Sequence, residues 1–125
     1  MSKRILIVED QEDLRAILLD LFTVSGYTVI EAADGGAGVA LARRERPDII
    51  LMDIQMPVLD GYEATRQIKA DPNISATPII AVSSFAMKGD EERIRAAGCD
   101  AYIAKPMRYQ EFLAAIDGQL APGRR

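Results

Sequence analysis

Apolar runs and helical periodicities alternate along the chain. Arg4 to Val8 (RILIV), Thr28 to Ala32 (TVIEA), Asp48 to Asp53 (DIILMD), Pro78 to Ser83 (PIIAVS) and Ala101 to Ala104 (AYIA) are short and rich in Ile, Val and Leu. Near-continuous apolar runs of this length predict strands buried on both faces, as in a parallel sheet. The segments between them have helical spacing. Asp13 to Ser25 places Leu14, Ile17, Leu18, Leu21 and Phe22 on one helix face, and Gly26 closes it. A small-residue helix is expected from about Asp34 to Glu45, with Ala37, Ala40 and Leu41 inward, stopping at Pro47. Asp60 reads as the N-cap of a helix through Tyr62, Thr65 and Ile68 that ends near Asp71 and Pro72. Lys88 to Ala97, closed by Gly98, and Tyr109 to Leu120, with Phe112, Leu113, Ile116 and Leu120 inward, complete the set.

Five strands alternating with five helices through short loops predict one α/β domain over 1–125, with a frayed tail at about 121–125. The expected architecture is a doubly wound (βα)5, flavodoxin-like fold, its parallel sheet in the order 2-1-3-4-5 with helices on both faces. A chain of 125 residues builds one core and leaves no room for a second.

A formal net charge of -4 argues against direct nucleic-acid binding and against anionic membranes, because no basic stripe is present to neutralise phosphates. The apolar run after Lys3 and Arg4 stops at Glu9, too short for a signal peptide or a spanning helix. Cys99 is the only cysteine, which excludes an internal disulfide and makes the cytoplasm the expected location. The absence of histidine removes His-ligated zinc and the Ser-His-Asp and Cys-His forms of catalysis. Chemistry on this chain therefore falls to carboxylates, hydroxyls and lysine.

In an open parallel sheet ligands sit beyond the carboxyl ends of the strands. Glu9 and Asp10 follow the first strand, Asp53 ends the third, Ser83 ends the fourth and Lys105 follows the fifth. In the expected strand order the first and third strands are neighbours, which brings three carboxylates together. Holding them close is costly unless a cation compensates; hard oxygen donors favour magnesium or calcium, and a compact site with few carboxylates fits Mg²⁺, for which Mn²⁺ is the expected substitute. Lys105 is positioned to be a second cation in the same pocket.

The stretches ILIVED, DIILMDIQMPVLDGYE, PIIAVSSFAMKGDEE and AGCDAYIAKP, in this order and spacing, resemble the receiver domain of two-component response regulators from Arg4 to about Leu120. The segment FAMKGDEERIRAAGCDAYIAKP is similar to stand-alone receivers that control cell division or polarity in bacteria. The resemblance implies that Asp53 takes a phosphoryl group from the phosphohistidine of a sensor kinase or phosphotransfer protein, and that the chain catalyses only its own phosphorylation and dephosphorylation. It implies that Asp10, Asp53 and the backbone carbonyl of Gln55 ligate Mg²⁺, with Glu9 acting through water. Ser83 and Lys105 would each engage a phosphoryl oxygen. Ser83 would then draw inward and Tyr102 turn from exposed to buried, biasing the face of the fourth helix, fifth strand and fifth helix, where a downstream protein binds. Gln55, Ser84 and Phe85 border this pocket and are expected to tune the phosphoryl lifetime, Phe85 as a shield. A monomer or a weak phosphorylation-dependent dimer is expected. Met1 and the short tail favour a complete regulator over a receiver cut from a longer protein.

Three other functions share parts of this pattern. A haloacid-dehalogenase-type phosphatase also uses an aspartate nucleophile and Mg²⁺, but resembles a pattern with a second aspartate two residues on, where this chain has Gln55. A receiver-fold binding module regulated without phosphorylation would not require the acid pocket. A flavin or nucleotide binder would carry a glycine-rich phosphate loop after the first strand, where EDQEDL stands.

Overall fold

The computed structural model describes residues 3–56, 59–83, 88–104 and 108–120. The elements are β1 (Arg4–Val8), α1 (Glu12–Val24), β2 (Thr28–Ala32), α2 (Gly35–Glu45), β3 (Ile49–Asp53), α3 (Gly61–Ala70), β4 (Ile79–Ser83), α4 (Lys88–Ala97), β5 (Ala101–Ala104) and α5 (Tyr109–Leu120). The strands form one sheet in the order β2-β1-β3-β4-β5, every neighbouring pair parallel. The expected flavodoxin-like topology is therefore the one observed.

Successive strand residues point to opposite faces, and both faces are covered. Leu6, Val8, Ile50, Met52 and Ala81 pack with Ala42, Ile68 and Ile94, from α2, α3 and α4. Ile5, Ile7, Ile49, Leu51, Ile80 and Val82 pack on the other side with Leu18 and Phe22 of α1 and Phe112 and Ile116 of α5. This two-sided cover explains why β3 and β4 lack the polar alternation of a half-exposed sheet: all five residues of each are buried.

Aspartates cap the starts of α2 and α3, the second as the sequence indicates. The Asp34 side chain accepts the Ala37 amide at 2.8 Å, and Asp60 accepts the Glu63 amide at 2.9 Å. Gly98 closes α4 with φ of +110°, a left-handed conformation suited to glycine. From the last turn of α3, Lys69 Nζ donates to the carbonyls of Ser75 at 3.1 Å and Thr77 at 2.8 Å and pairs with Asp100 Oδ2 at 3.2 Å. Asp100 Oδ2 also accepts the Ile79 amide at 2.8 Å, so one lysine ties the entries of β4 and β5 together.

Two helix faces differ from expectation. Ile17 is 40% exposed, at the margin of the α1 stripe. In α2 the buried residues are Gly35, Gly38, Val39 and Ala42, while Ala40 is exposed and Ala37 and Leu41 are half-buried. Close approach to the sheet selects this face: a Cβ on Gly38 would lie 2.9 Å from Val8 Cγ2, so the helix turns its smallest residue toward β1.

Candidate functional site

β1 and β3 run side by side with Val8 opposite Met52, so Glu9, Asp10 and Asp53 leave the sheet at the same edge. One carboxylate oxygen from each lies within 4.8 Å of the others. Glu9 and Asp53 are 2% and 3% exposed, and Asp10 is half-buried. At this separation each like-charged pair costs on the order of 3 kcal/mol at an effective dielectric of about 20.

Backbone contacts fix the acids in place. The Glu9 amide donates to the Ala32 carbonyl at 3.0 Å, which extends the β1–β2 ladder by one residue. The Glu9 carbonyl accepts Arg15 Nη1 at 2.7 Å, and its Oε2 accepts the Gln11 amide at 3.1 Å. Arg15 also pairs with Glu31 at 3.4 Å, clamping the exits of β1 and β2 from above. On β3, the Gln55 amide donates to Asp53 Oδ1 at 3.1 Å, and the Ile54 amide donates to the Val82 carbonyl at 2.9 Å.

Gly61, the first residue of α3, packs directly on this corner. A Cβ there would meet the Asp53 carbonyl oxygen at 2.3 Å and Ile54 Cα at 2.7 Å. The next residue, Tyr62, is buried beneath the guanidinium of Arg93, whose carbon stands 4.2 Å from the ring centroid and joins α3 to α4.

The donor set fits a small hard cation. Three anionic oxygens spread over no more than 4.8 Å match the roughly 4 Å that separates opposite ligands of octahedral Mg²⁺. Among the described residues no thiol or imidazole joins this group, since the one cysteine, Cys99, is not among the clustered donors and histidine is absent.

Ser83 ends β4 beside Asp53 and is fully buried. Its Oγ accepts Gln55 Nε2 at 2.9 Å. Tyr102 is half-buried on β5, opposite Ala81, and packs against the core on the α2, α3 and α4 side. Lys105, Ser84 and Phe85 lie outside the described residues.

Three contributors were not recognised from sequence as parts of the site: the Gln55 side chain as partner of Ser83, Gly61 as the residue touching the Asp53 peptide, and Arg15 as clamp on Glu9. Only Gly61 had a local signal, a glycine directly after an N-capping aspartate. The other two contacts depend on distances across the fold.

The family model of the response regulator receiver domain matches residues 5–117. The polar-differentiation response regulator DivK of Brucella anthropi is 48% identical over 120 residues, covering 96% of this chain and 98% of the relative. DivK of Brucella ovis is 47% identical with the same coverage. Among solved structures, the receiver domain of sensor histidine kinase PA1611 from Pseudomonas aeruginosa, with a magnesium ion coordinated in its active-site cleft, superposes with a TM-score of 0.86 at 40% identity, covering 94% of this chain and 96% of that one. The chemotaxis protein CheY4 of Vibrio cholerae gives 0.89 at 26% identity, covering 94% and 98%.

Proposed function

Because the chain belongs to the response regulator receiver domain family, a family of two-component signalling proteins, we propose that Asp53 is its phosphoacceptor and that residues 1–125 act as one receiver domain. The observation that carries this reading is the convergence of Glu9, Asp10 and Asp53 at the edge of the sheet, with Ser83 on the neighbouring strand end. An Asp53 carboxylate oxygen attacks the phosphorus of a partner's phosphohistidine. The P–N bond breaks, its electron pair stays on the ring nitrogen, the imidazole leaves neutral because the phosphorylated ring already carries a proton on its other nitrogen, and an acyl phosphate forms. Asp53 enters as the carboxylate, so no general base is required and the work of the site is positioning and charge stabilisation.

Asp10, Asp53 and the Gln55 carbonyl hold Mg²⁺ in this reading, and Glu9 acts through water. The ion, with Mn²⁺ as substitute, supplies positive charge against the phosphoryl oxygens. Ser83 donates to one phosphoryl oxygen and Lys105 pairs with another. Gln55, Ser84 and Phe85 tune the lifetime, and Tyr102 reports the state to the face formed by α4, β5 and α5.

The partners are a sensor kinase or phosphotransfer protein upstream and a protein target downstream, with the chain a monomer or a weak phosphorylation-dependent dimer in the cytoplasm. Among the described residues no helix is long and apolar enough to cross a membrane. The chain acts on no substrate but its own phosphoryl group. A phosphatase of the haloacid-dehalogenase type needs an acid and base two residues after the nucleophile, and Gln55 there is a carboxamide bonded to Ser83.

Intact mass after incubation with acetyl phosphate tests this reading, with Mg²⁺, with EDTA, and for Asp53→Asn. Gain of one phosphoryl group by the wild type with metal only is expected. A modified Asp53→Asn protein would overturn the assignment.

A further inference from the structure

Arg15 holds the acid corner where the sheet stops holding it. The β1–β2 ladder ends with the Glu9 amide on the Ala32 carbonyl at 3.0 Å. At the Glu9 carbonyl the donor is a side chain, Arg15 Nη1, at 2.7 Å. That carbonyl belongs to the peptide joining Glu9 to Asp10, two of the three clustered carboxylates. A peptide unit is planar, so a bond that fixes its oxygen also restricts the direction in which the Asp10 Cα leaves. Arg15 is itself anchored: its amide closes the first turn of α1 on the Gln11 carbonyl at 2.9 Å, and its Nε stands 3.4 Å from Glu31 Oε1 on β2. The side chain is only 18% exposed. A rigid, charged fork in such a place makes a stronger and more directional bond than a neutral donor.

Building on the reading of Glu9, Asp10 and Asp53 as a Mg²⁺ site, we propose that Arg15 is a positioning residue for that site, holding the Glu9–Asp10 peptide so that the Asp10 carboxylate meets the ion already oriented. Position and charge make opposite demands here. A guanidinium close to a divalent cation repels it, so charge alone would make the ion bind more tightly once Arg15 is neutralised. Position makes it bind more weakly, because Asp10 must then be ordered as the ion arrives. A part confined to the folding of α1 would change stability and leave the ion's affinity where it was.

The experiment is a Mg²⁺ titration of the full chain followed by amide NMR, without any phosphodonor, on wild type, Arg15→Met and Arg15→Lys. Affinity is expected to fall about threefold to tenfold for Arg15→Met, the lower end of what outer partners of metal ligands contribute. Arg15→Lys, which keeps the charge and a donor for the carbonyl, should recover part of that loss. Before metal is added, the Asp10 amide nitrogen, in the same peptide as the Glu9 carbonyl, should shift in Arg15→Met. Arg15→Gln, uncharged and too short to reach the carbonyl, replaces Arg15→Met should the latter fail to fold. Unchanged or tighter Mg²⁺ binding by Arg15→Met, an unmoved Asp10 resonance, or Arg15→Lys no better than Arg15→Met would overturn the positioning role and leave the acid site standing. A wild type that binds no Mg²⁺ would overturn both.

Discussion

Gly61→Ala places one methyl group against the peptide that carries the phosphoacceptor. The new Cβ would stand 2.3 Å from the Asp53 carbonyl oxygen, 2.7 Å from Ile54 Cα and 3.0 Å from the Asp53 carbonyl carbon, all backbone atoms of the sheet edge. No rotamer change relieves such contacts, so α3 must lift from β3 by roughly 1 Å in an interior that is packed like a crystal. Overpacking of this kind costs about 1–3 kcal/mol, and the rigidity of the atoms involved favours the upper end. Alanine's preference for helix over glycine returns at most about 1 kcal/mol. Gly118→Ala is the internal control, because a Cβ at Gly118, within α5, meets nothing within 4 Å. That change should stabilise by about 0.5–1 kcal/mol. Urea unfolding of both variants, with equal m-values as the check on two-state behaviour, measures the difference. Gly61→Ala should be the less stable by about 3 kcal/mol. A Gly61→Ala protein within about 0.5 kcal/mol of wild type would refute the close packing of α3 on Asp53.

Lys69→Met removes the donor shared by the Ser75 and Thr77 carbonyls and by Asp100, and a loss of about 1–3 kcal/mol in urea unfolding is expected. No loss would mean that water replaces the lysine. Burial raises the Cys99 thiol pKa; the Thr65 hydroxyl beside it pulls the other way, Asp100 adds to the rise and Lys69 opposes it. A raised folded-state value contributes stability that is fully present below the ordinary thiol value of 9.0 and is lost as pH rises through the folded value. Cys99→Ala should therefore flatten the fall in stability above pH 9, read as urea midpoints across pH, and an unchanged slope would refute the assignment.

The fold was legible in the sequence because strands covered on both faces must be apolar throughout, and five such runs separated by helical spacing admit few topologies. The carboxylates were legible because each ends one of those runs, so topology alone collects them at one edge. The inward face of α2 was not, since Gly35, Ala37, Gly38, Ala40 and Ala42 offer almost no contrast in hydropathy, and the choice rests on which residue lets the backbone approach Val8. Gln55 was placed at the pocket through its carbonyl and as a tuner of lifetime, whereas its bond to Ser83 spans 28 positions and two strands. Periodicity records burial, not the partners of a polar side chain.

The three crowded carboxylates also set a conflict between durability and purpose. Neutralising one of them, for instance by Asp10→Asn, relieves a repulsion that the folded chain otherwise carries, and is expected to raise resistance to urea while weakening the hold on a divalent ion. A search for hardier variants judged by stability alone would therefore drift toward proteins that keep the fold and lose the signal, and the earliest substitutions to accumulate would be those at the exits of β1 and β3.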